Sequence, residues 1–439
     1  MLTPATQKTT YLIPPIPIKT LAEYCTQGGF SGFEKAQKIG PQAVIDLIKK
    51  ANLRGRGGAG FPSHIKWSGV RGDNSCPTKY ICCNASEGEP GTFKDRFMIR
   101  KNPFQVLEGM ATAAFAIGAK GAYIGLKKKF KLELERLYTS LKEIEDAGIV
   151  PKNFLNIVEG PSDYLFGEER AFLEALEGRA ALPRVLPPYI QGLFYRPDSH
   201  NPTVVNNAET LAHVSHILKN GPEWFLSIGS QDTPGTGIFT LVGDVKNPGM
   251  YELPMGTNLK ELLYDIGGGP VTGTFKALWS GVANPVLIAE KFDVPMDFGS
   301  LKKAGGGLGS AGFIVYDESM CMVKAAILFS TFLAKESCGQ CVPCKSTSHK
   351  LTEILQTFED GSASEKDFIT LKSYCGRVNQ GTRCFLSSEE ALVVSSLMQK
   401  FKSEMDAHLN HGCFSSREAV LPKIKNFDEN TRQFEFEPI

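Results

Sequence analysis

Apolar and polar positions divide the chain into three stretches of different periodicity. From about residue 37 to 235, short apolar runs of strand length, Tyr80-Ile81-Cys82-Cys83 and Ala122-Tyr123-Ile124-Gly125, alternate with stretches of helical spacing at 103–117 and 127–147. Strands alternating with helices of this length predict an α/β domain, a parallel sheet covered by helices. Between 236 and 322 the rhythm changes. Two alternating runs flank the turn signal Lys246-Asn-Pro-Gly249, a helical stretch at 258–266 stops at Gly267-Gly-Gly269, and strand-like runs follow at 277–280 and 313–316. A small α+β module is expected there. From 323 to 439 no strand pattern is visible, and helical spacing at 323–335, 349–360, 364–379 and 389–409 predicts an all-α bundle. Residues 1–36 open on a Pro-rich run and read as an extended N-terminal arm.

Charge changes this picture little. The 48 Lys+Arg nearly cancel 47 Asp+Glu, so no global field draws nucleic acid, and small ligands and protein partners are expected instead. The N-terminus lacks the continuous apolar core of a secretory signal, which points to a cytoplasmic protein. The most apolar windows, 110–126 and 325–334, fall short of the ~18 apolar residues of a membrane span. Membrane association is therefore expected only indirectly, through partner subunits.

Cysteine usage changes it more. Eleven is an odd number, and three cysteines lie within seven residues in Glu336-Ser-Cys338-Gly-Gln-Cys341-Val-Pro-Cys344. This suits metal ligation in a reducing compartment better than a disulfide framework. Three thiolates at C-x2-C-x2-C spacing wrap one corner of an iron–sulfur cubane, and a fourth ligand must come from Cys375, Cys384 or Cys413. Cys384 sits in a Gly-containing break between helical stretches, whereas Cys375 lies inside one. A structural zinc knot is the rival, but zinc normally draws two pairs of ligands rather than a contiguous triplet with one remote partner.

The chain also contains Gly55-Arg56-Gly57-Gly58-Ala59-Gly60, which satisfies the G-x-G-x-x-G pattern of a dinucleotide turn. That turn needs a strand before it and a helix after it. Here a helical stretch precedes it, and Pro62 and Trp67 argue against an immediate helix. A glycine loop of this kind still lets the backbone approach a flat ring or a phosphate, with Arg54, Arg56 and Lys66 supplying positive charge. Amides and carboxylates then cluster in Asn84-Ala-Ser86-Glu87-Gly-Glu89-Pro-Gly-Thr-Phe-Lys-Asp95-Arg96, in Tyr164-Leu-Phe-Gly167-Glu168-Glu169 and in Val205-Asn206-Asn207-Ala-Glu-Thr210. Such groups suit flavin edges and ribose hydroxyls, although each alone is equally at home in a turn or a helix cap.

Taken in order, RGRGGAGFP at 54–62, NASEGEPGTFKDR at 84–96, GEE at 167–169, VVNN at 204–207 and ESCGQCVPC at 336–344 with Cys384 resemble the flavin-containing, NADH-oxidising subunit of respiratory complex I and its relatives in NAD-linked hydrogenases and formate dehydrogenases. The resemblance implies a Rossmann-like FMN and NADH domain at 37–235, a ubiquitin-like β-grasp (SLBB) domain at 236–322 and a helical 4Fe-4S cluster domain at 323–439. It implies that Gly55, Arg56, Gly57, Gly58, Lys66, Asn84, Ser86, Tyr164, Gly167, Glu168, Val205, Asn206, Asn207 and Thr210 surround FMN, and that Phe61, Glu89 and Glu169 meet NAD(H). Glu87 and Glu89 are assigned positioning and electrostatic roles beside the reacting rings, and Cys338, Cys341, Cys344 and Cys384 ligate iron.

The activity so implied is an NAD(P)H dehydrogenase (diaphorase) subunit. It would pass electrons from FMN to its cluster and on to a 2Fe-2S thioredoxin-like subunit and further iron–sulfur subunits. Three positions depart from the family's pattern: Ser86 replaces a carboxylate, Gly69 an aromatic and Leu186 a lysine. They motivate an alternative, an electron-relay or electron-bifurcating subunit of a hydrogenase, formate dehydrogenase or acyl-CoA reductase complex with altered or lost NADH binding.

Overall fold

The computed structural model describes residues 10–409, 411–413 and 415–437. The first nine residues of the expected N-terminal arm lie outside these. The described residues fold as two compact units, one drawn from 10–88, 93–239 and 250–256, the other from 89–92, 240–249 and 257 onward.

The first unit carries α1 (Leu21–Thr26), α2 (Ser31–Ile39), α3 (Pro41–Lys50), α4 (Ser63–Gly72), β1 (Tyr80–Asn84), α5 (Lys94–Lys101), α6 (Pro103–Ile117), β2 (Gly121–Lys127), α7 (Lys131–Asp146), β3 (Leu155–Gly160), α8 (Glu169–Leu176), β4 (Thr203–Asn207), α9 (Ala208–Asn220) and α10 (Pro222–Leu226). Its sheet has the order β3-β2-β1-β4, with all neighbours parallel. The apolar run at Tyr80 to Cys83 is buried throughout, as a strand covered on both faces should be. From β1 the chain moves outward through β2 and β3, then returns to place β4 on the other side of β1. The carboxyl ends of β1 and β4 therefore flank a topological switch point, where open α/β sheets bind ligands.

Residues 10–20 of the arm form no helix or strand, but α1 and α2 replace the extended course expected up to 36. The reason is Glu108, a buried residue of α6. Its carboxylate accepts the Tyr24 hydroxyl at 2.6 Å and the backbone N–H groups of Phe30 at 3.0 Å and Phe33 at 3.1 Å, tying this segment onto α6.

β5 (Thr236–Gly243) begins in the first unit and from Thr240 belongs to the second; β6 (Gly249–Pro254) returns to the first. The second unit adds β7 (Phe275–Ser280), β8 (Leu287–Ile288), α11 (Phe298–Lys303) and β9 (Gly312–Asp317). Here β5 and β9 pair in parallel, and β7 pairs antiparallel with both β9 and β8, giving the expected α+β module. Helices α12 (Met322–Glu336), α13 (Val342–Glu359), α14 (Glu365–Cys375), α15 (Leu386–Lys400) and α16 (Lys402–His408) form the bundle.

A hairpin of β10 (Ile424–Asp428) and β11 (Gln433–Phe436) follows, where no strand was expected. An irregularity between Ile424 and Asn426 moves the next buried side chain to Phe427, which breaks the alternation a strand would show. No helix among the described residues is long and apolar enough to cross a membrane.

Candidate functional site

The glycine loop joins α3 to α4, so it follows a helix as expected, but a helix also follows it directly: Pro62 precedes α4, and Trp67 lies within that helix. Its neck is closed by Gly55 N–H to Phe61 C=O at 2.9 Å and Ser63 N–H to Leu53 C=O at 2.9 Å. Arg54 braces it from the side, donating to Gly60 C=O and pairing with Asp232, both at 2.9 Å. Gly58 at φ +122° and Gly60 at φ +62° hold conformations that side chains disfavour. Gly57 lies so close to β4 that a Cβ would come 3.1 Å from the Asn207 Cβ.

Arg56 is buried; its backbone N–H donates to Thr210 Oγ1 at 2.8 Å and its guanidinium to Pro234 C=O at 2.7 Å. Its Nε and Nη1 have no partner among the described residues. Burial pulls the Arg56 pKa down to about 10. Phe61 stands exposed at the loop's end.

Parallel register sets Asn84 beside Asn207 and Cys83 beside Asn206, so three amides gather at the carboxyl ends of β1 and β4. Asn84 donates to Gly167 C=O at 2.8 Å and accepts the Ser86 hydroxyl at 2.7 Å. This clasps β1 to the helical turn Tyr164–Gly167, and Ser86 is buried beneath Gly167. Tyr164 closes over Gly88, where a Cβ would lie 3.4 Å from its ring. Trp67 donates to Asn206 Oδ1 at 2.8 Å. Asn207 caps α9 and donates to Asp95 at 2.6 Å.

Beneath them lies a buried charge network. The Lys94 ammonium pairs with Asp95 at 2.7 Å and Glu209 at 2.8 Å and donates to Asn207 Oδ1 at 3.1 Å. The two carboxylates hold the lysine well above its ordinary value despite burial, while burial raises Asp95 to about 6. Trp67, Lys94, Asp95 and Glu209 are the positioning residues that sequence reasoning left unassigned, though all but Trp67 stand inside or beside the quoted motifs.

The carboxylates of the motifs take different tasks. Glu87, expected beside the reacting rings, is buried; it accepts the N–H groups of Asp95 at 2.7 Å and Arg96 at 3.1 Å and pairs with the Arg96 guanidinium at 2.9 Å. It caps α5 with its charge neutralised, because the strand-to-helix turn folds it back onto that helix. Glu89 belongs to the second unit, where it accepts Val282 N–H at 2.6 Å. Glu168 caps α8, accepting from Arg170 N–H at 3.0 Å and Ala171 N–H at 2.9 Å. Glu169 pairs with Lys66 at 2.8 Å, both partly exposed, and Lys66 also reaches Val205 C=O at 3.4 Å.

In the second unit, Cys338 and Cys341 lie on the loop from α12 to α13, and Cys344 is in the first turn of α13. Ser337 Oγ lies 3.1 Å from the Cys344 sulfur, and the Gln340 amide donates to Cys338 at 3.5 Å. The Arg383 backbone N–H donates to the Cys341 sulfur at 3.3 Å, which brings the segment carrying Cys384 to the triplet. Cys375 is instead buried at the end of α14. A donor set of contiguous thiols joined by one remote cysteine, with N–H groups aimed at sulfur, fits a cubane.

Residues 48–216 match the Nuo51 FMN-binding domain, 238–279 the SLBB domain and 324–408 the NADH-ubiquinone oxidoreductase-F iron-sulfur binding region. The chain is 40% identical over 402 residues to an NADH-quinone oxidoreductase subunit (type F 2) of Rhizobium meliloti, spanning 89% of this chain and 94% of that protein. It is 35% identical to NADP-reducing hydrogenase subunit HndC of Solidesulfovibrio fructosivorans, over 89% and 81% of the two chains. Among solved structures, an NAD+-reducing NiFe hydrogenase in its H2-reduced state aligns with a TM-score of 0.80 and 32% identity, covering 91% of this chain and 68% of that one.

Proposed function

Because the chain belongs to the family of F-type NADH-quinone oxidoreductase subunits, we infer that it is an oxidoreductase subunit taking a hydride from a nicotinamide nucleotide on FMN and passing the electrons singly to a 4Fe-4S cluster. When bound, FMN supplies the exchange between a two-electron hydride and single electrons, and the cubane supplies a one-electron carrier.

The observation that carries this reading is the crevice at the switch point, floored by Asn84, Asn206 and Asn207 and walled by a glycine loop in contact with Asn207. Having no side chain, Gly57 lets the loop close onto Asn207 at the edge of the crevice. The bond from Trp67 commits the oxygen of Asn206 and leaves its Nδ2 donors for a ligand. Gly55, Arg56, Gly57, Gly58, Ser86, Tyr164, Gly167, Glu168, Val205 and Thr210 shape or brace this crevice. The partly exposed Lys66 ammonium would meet the phosphate. Phe61, Glu89 and Glu169 are assigned to the nicotinamide nucleotide, and Cys338, Cys341, Cys344 and Cys384 to iron.

In this reading the protein is cytoplasmic, works inside a multi-subunit iron–sulfur assembly, and hands its electrons first to a 2Fe-2S thioredoxin-like subunit. One observation favours a relay or bifurcating role with altered NADH binding. Ser86 offers a buried hydroxyl already spent on Asn84, where the family's pattern supplies a charge.

Anaerobic titration separates the two. Protein holding FMN and about four iron atoms per chain is expected to bleach on addition of NADH or NADPH. Flavin that responds to neither nucleotide, yet is reduced through the partner subunits, would establish the relay instead.

A further inference from the structure

A second cluster of metal-ligating side chains lies in the second unit, apart from the four cysteines assigned to iron. The ligand atoms of Cys321, Glu359, His408 and Cys413 all fall within 4.8 Å of one another. We propose that these four residues form a mononuclear Zn2+ site that fastens the C-terminal segment of the chain to the helical bundle.

The donor set is two thiols, an imidazole and a carboxylate. Zn2+ takes such ligands tetrahedrally, with bonds of about 2.0–2.3 Å, so neighbouring donor atoms stand roughly 3.3–3.8 Å apart. The Cys321 sulfur and His408 Nε2 are already 3.4 Å apart. His408 is buried, and its Nδ1 is 2.7 Å from the Glu404 carbonyl, an acceptor that requires the proton on Nδ1. The Nε2 lone pair is thereby turned toward the sulfur, the second-sphere arrangement that orients metal-bound histidines. Glu359 Oε2 is shielded from solvent and has no hydrogen-bond partner among the described residues. A metal ion supplies the missing one.

Charge balances as well. Two thiolates and a carboxylate around Zn2+ leave one negative charge, and the Lys324 ammonium stands 3.4 Å from Glu359 Oε1 to offset it. The same ammonium donates to the carbonyls of Ser415 at 2.7 Å and Arg417 at 3.3 Å, so it also holds the tail.

The backbone is shaped to deliver Cys413. Gly361 and Gly412, both in left-handed conformations, lie face to face, and a Cβ at Gly361 would come 2.5 Å from the Gly412 nitrogen. This contact sets 411–413 against the end of α13, where Cys413 N–H donates to Glu359 C=O at 3.0 Å. Beyond it, Arg417 pairs with Asp317 at 3.0 Å and with Asp244, and Pro422 C=O accepts Gly91 N–H at 2.8 Å. Four protein ligands close the site, so its task is structural: it pins the tail at the point from which these contacts extend.

The test measures zinc and iron together in the full chain, purified without air with whatever subunits accompany it. About one zinc per chain is expected beside the cluster iron. His408→Ala and Cys413→Ser should lose the zinc and keep the iron, and Cys338→Ser should do the reverse. Glu359→Gln, nearly isosteric, serves where the others fail to fold. Wild-type protein gives an independent readout, because Cys321 and Cys413 should resist alkylation until a chelator removes the zinc. The proposal is overturned if iron-loaded protein from zinc-replete cells holds no zinc, if the variants retain it, if the two thiols alkylate equally with and without chelator, or if native protein contains a Cys321–Cys413 disulfide.

Discussion

The amide-lined crevice of the first unit and the cysteine site of the second are built on opposite principles. The crevice is assembled from many weak parts: three side-chain amides at two strand ends, a glycine loop pressed on one of them, and a buried lysine with two carboxylates underneath. Its specificity lies in shape and prearranged dipoles, and no single side chain does the chemistry. The cysteine site is assembled from donors on a loop and a helix start, joined by a residue from a distant turn. The first must be stable before its ligand arrives. The second gains part of its stability from the ligand itself.

The sharpest way to break this contrast is at the cysteines. Cys384→Ser is expected to abolish iron binding while flavin content stays at the wild-type level, whereas Cys375→Ser, altering a buried thiol of α14, should keep the iron. Iron analysis with flavin fluorescence on both variants checks this. Retention of the cluster in the first variant would move the fourth ligand elsewhere.

Next in size is Lys94→Met, which strands Asp95 and Glu209 as buried carboxylates. Breaking a buried pair in this way costs about 3–5 kcal/mol, enough to empty the flavin site by unfolding its floor. Lys66→Met removes an ion pair that is partly solvent-exposed, with the side chains at 32% and 40% relative exposure, and should cost under about 1 kcal/mol. Urea denaturation of the two variants separates a structural lysine from a ligand-facing one. Similar losses would show that the network under the crevice is not what holds it.

How far each region could be read from sequence follows from the same contrast. The triplet Cys338, Cys341 and Cys344 is legible as a candidate ligand set because its thiols are closely spaced, and Cys384 as the proposed fourth ligand because a glycine break marks its turn. Apolar periodicity also shows the parallel sheet and the bundle. The crevice is legible only as scattered polar motifs. That Asn84 and Asn207 stand side by side is a fact of strand order, which spacing does not encode. Lys94 sits in a quoted motif, yet nothing local says that it is buried between two carboxylates. Glu87 is given a positioning and electrostatic role by the sequence, and what the sequence does not show is that its carboxylate also caps α5, because the turn after β1 folds it back onto that helix. The Cys321 and Cys413 cluster was invisible for the same reason: its members come from three separate stretches of the chain, around 321, 359 and 408–413.

A subtler probe of the crevice is Gly57→Ala. The added Cβ would stand 3.1 Å from the Asn207 side chain, so loop and strand must part by a few tenths of an ångström. Folding should survive, while FMN affinity falls roughly tenfold, about 1.4 kcal/mol. Flavin release measured by fluorescence decides it. Unchanged affinity would mean that the loop does not touch the ring.

A pH-dependent effect compares two buried carboxyls, one in each unit. Glu252 accepts from Leu12 N–H, Ile13 N–H and Thr236 Oγ1, and burial raises it to about 7. Among the described residues Glu390 of α15 has a single donor, Ser330, and burial raises it to about 8. In the unfolded chain both titrate near an ordinary glutamate value of about 4.3. Between that value and the raised one, the folded protein keeps a proton that the unfolded chain has released. Stability therefore falls as pH rises through the window, up to about 7 for Glu252 and about 8 for Glu390, and levels off above it. Glu390→Gln stays neutral throughout. It should match the wild type in mild acid and exceed it by at least about 1 kcal/mol in mild alkali, and Glu252→Gln should gain less because three donors already support its charge. Urea midpoints across the pH range measure both. Equal gains would show that burial alone, and not the number of donors, sets the cost of charging a carboxyl in either unit.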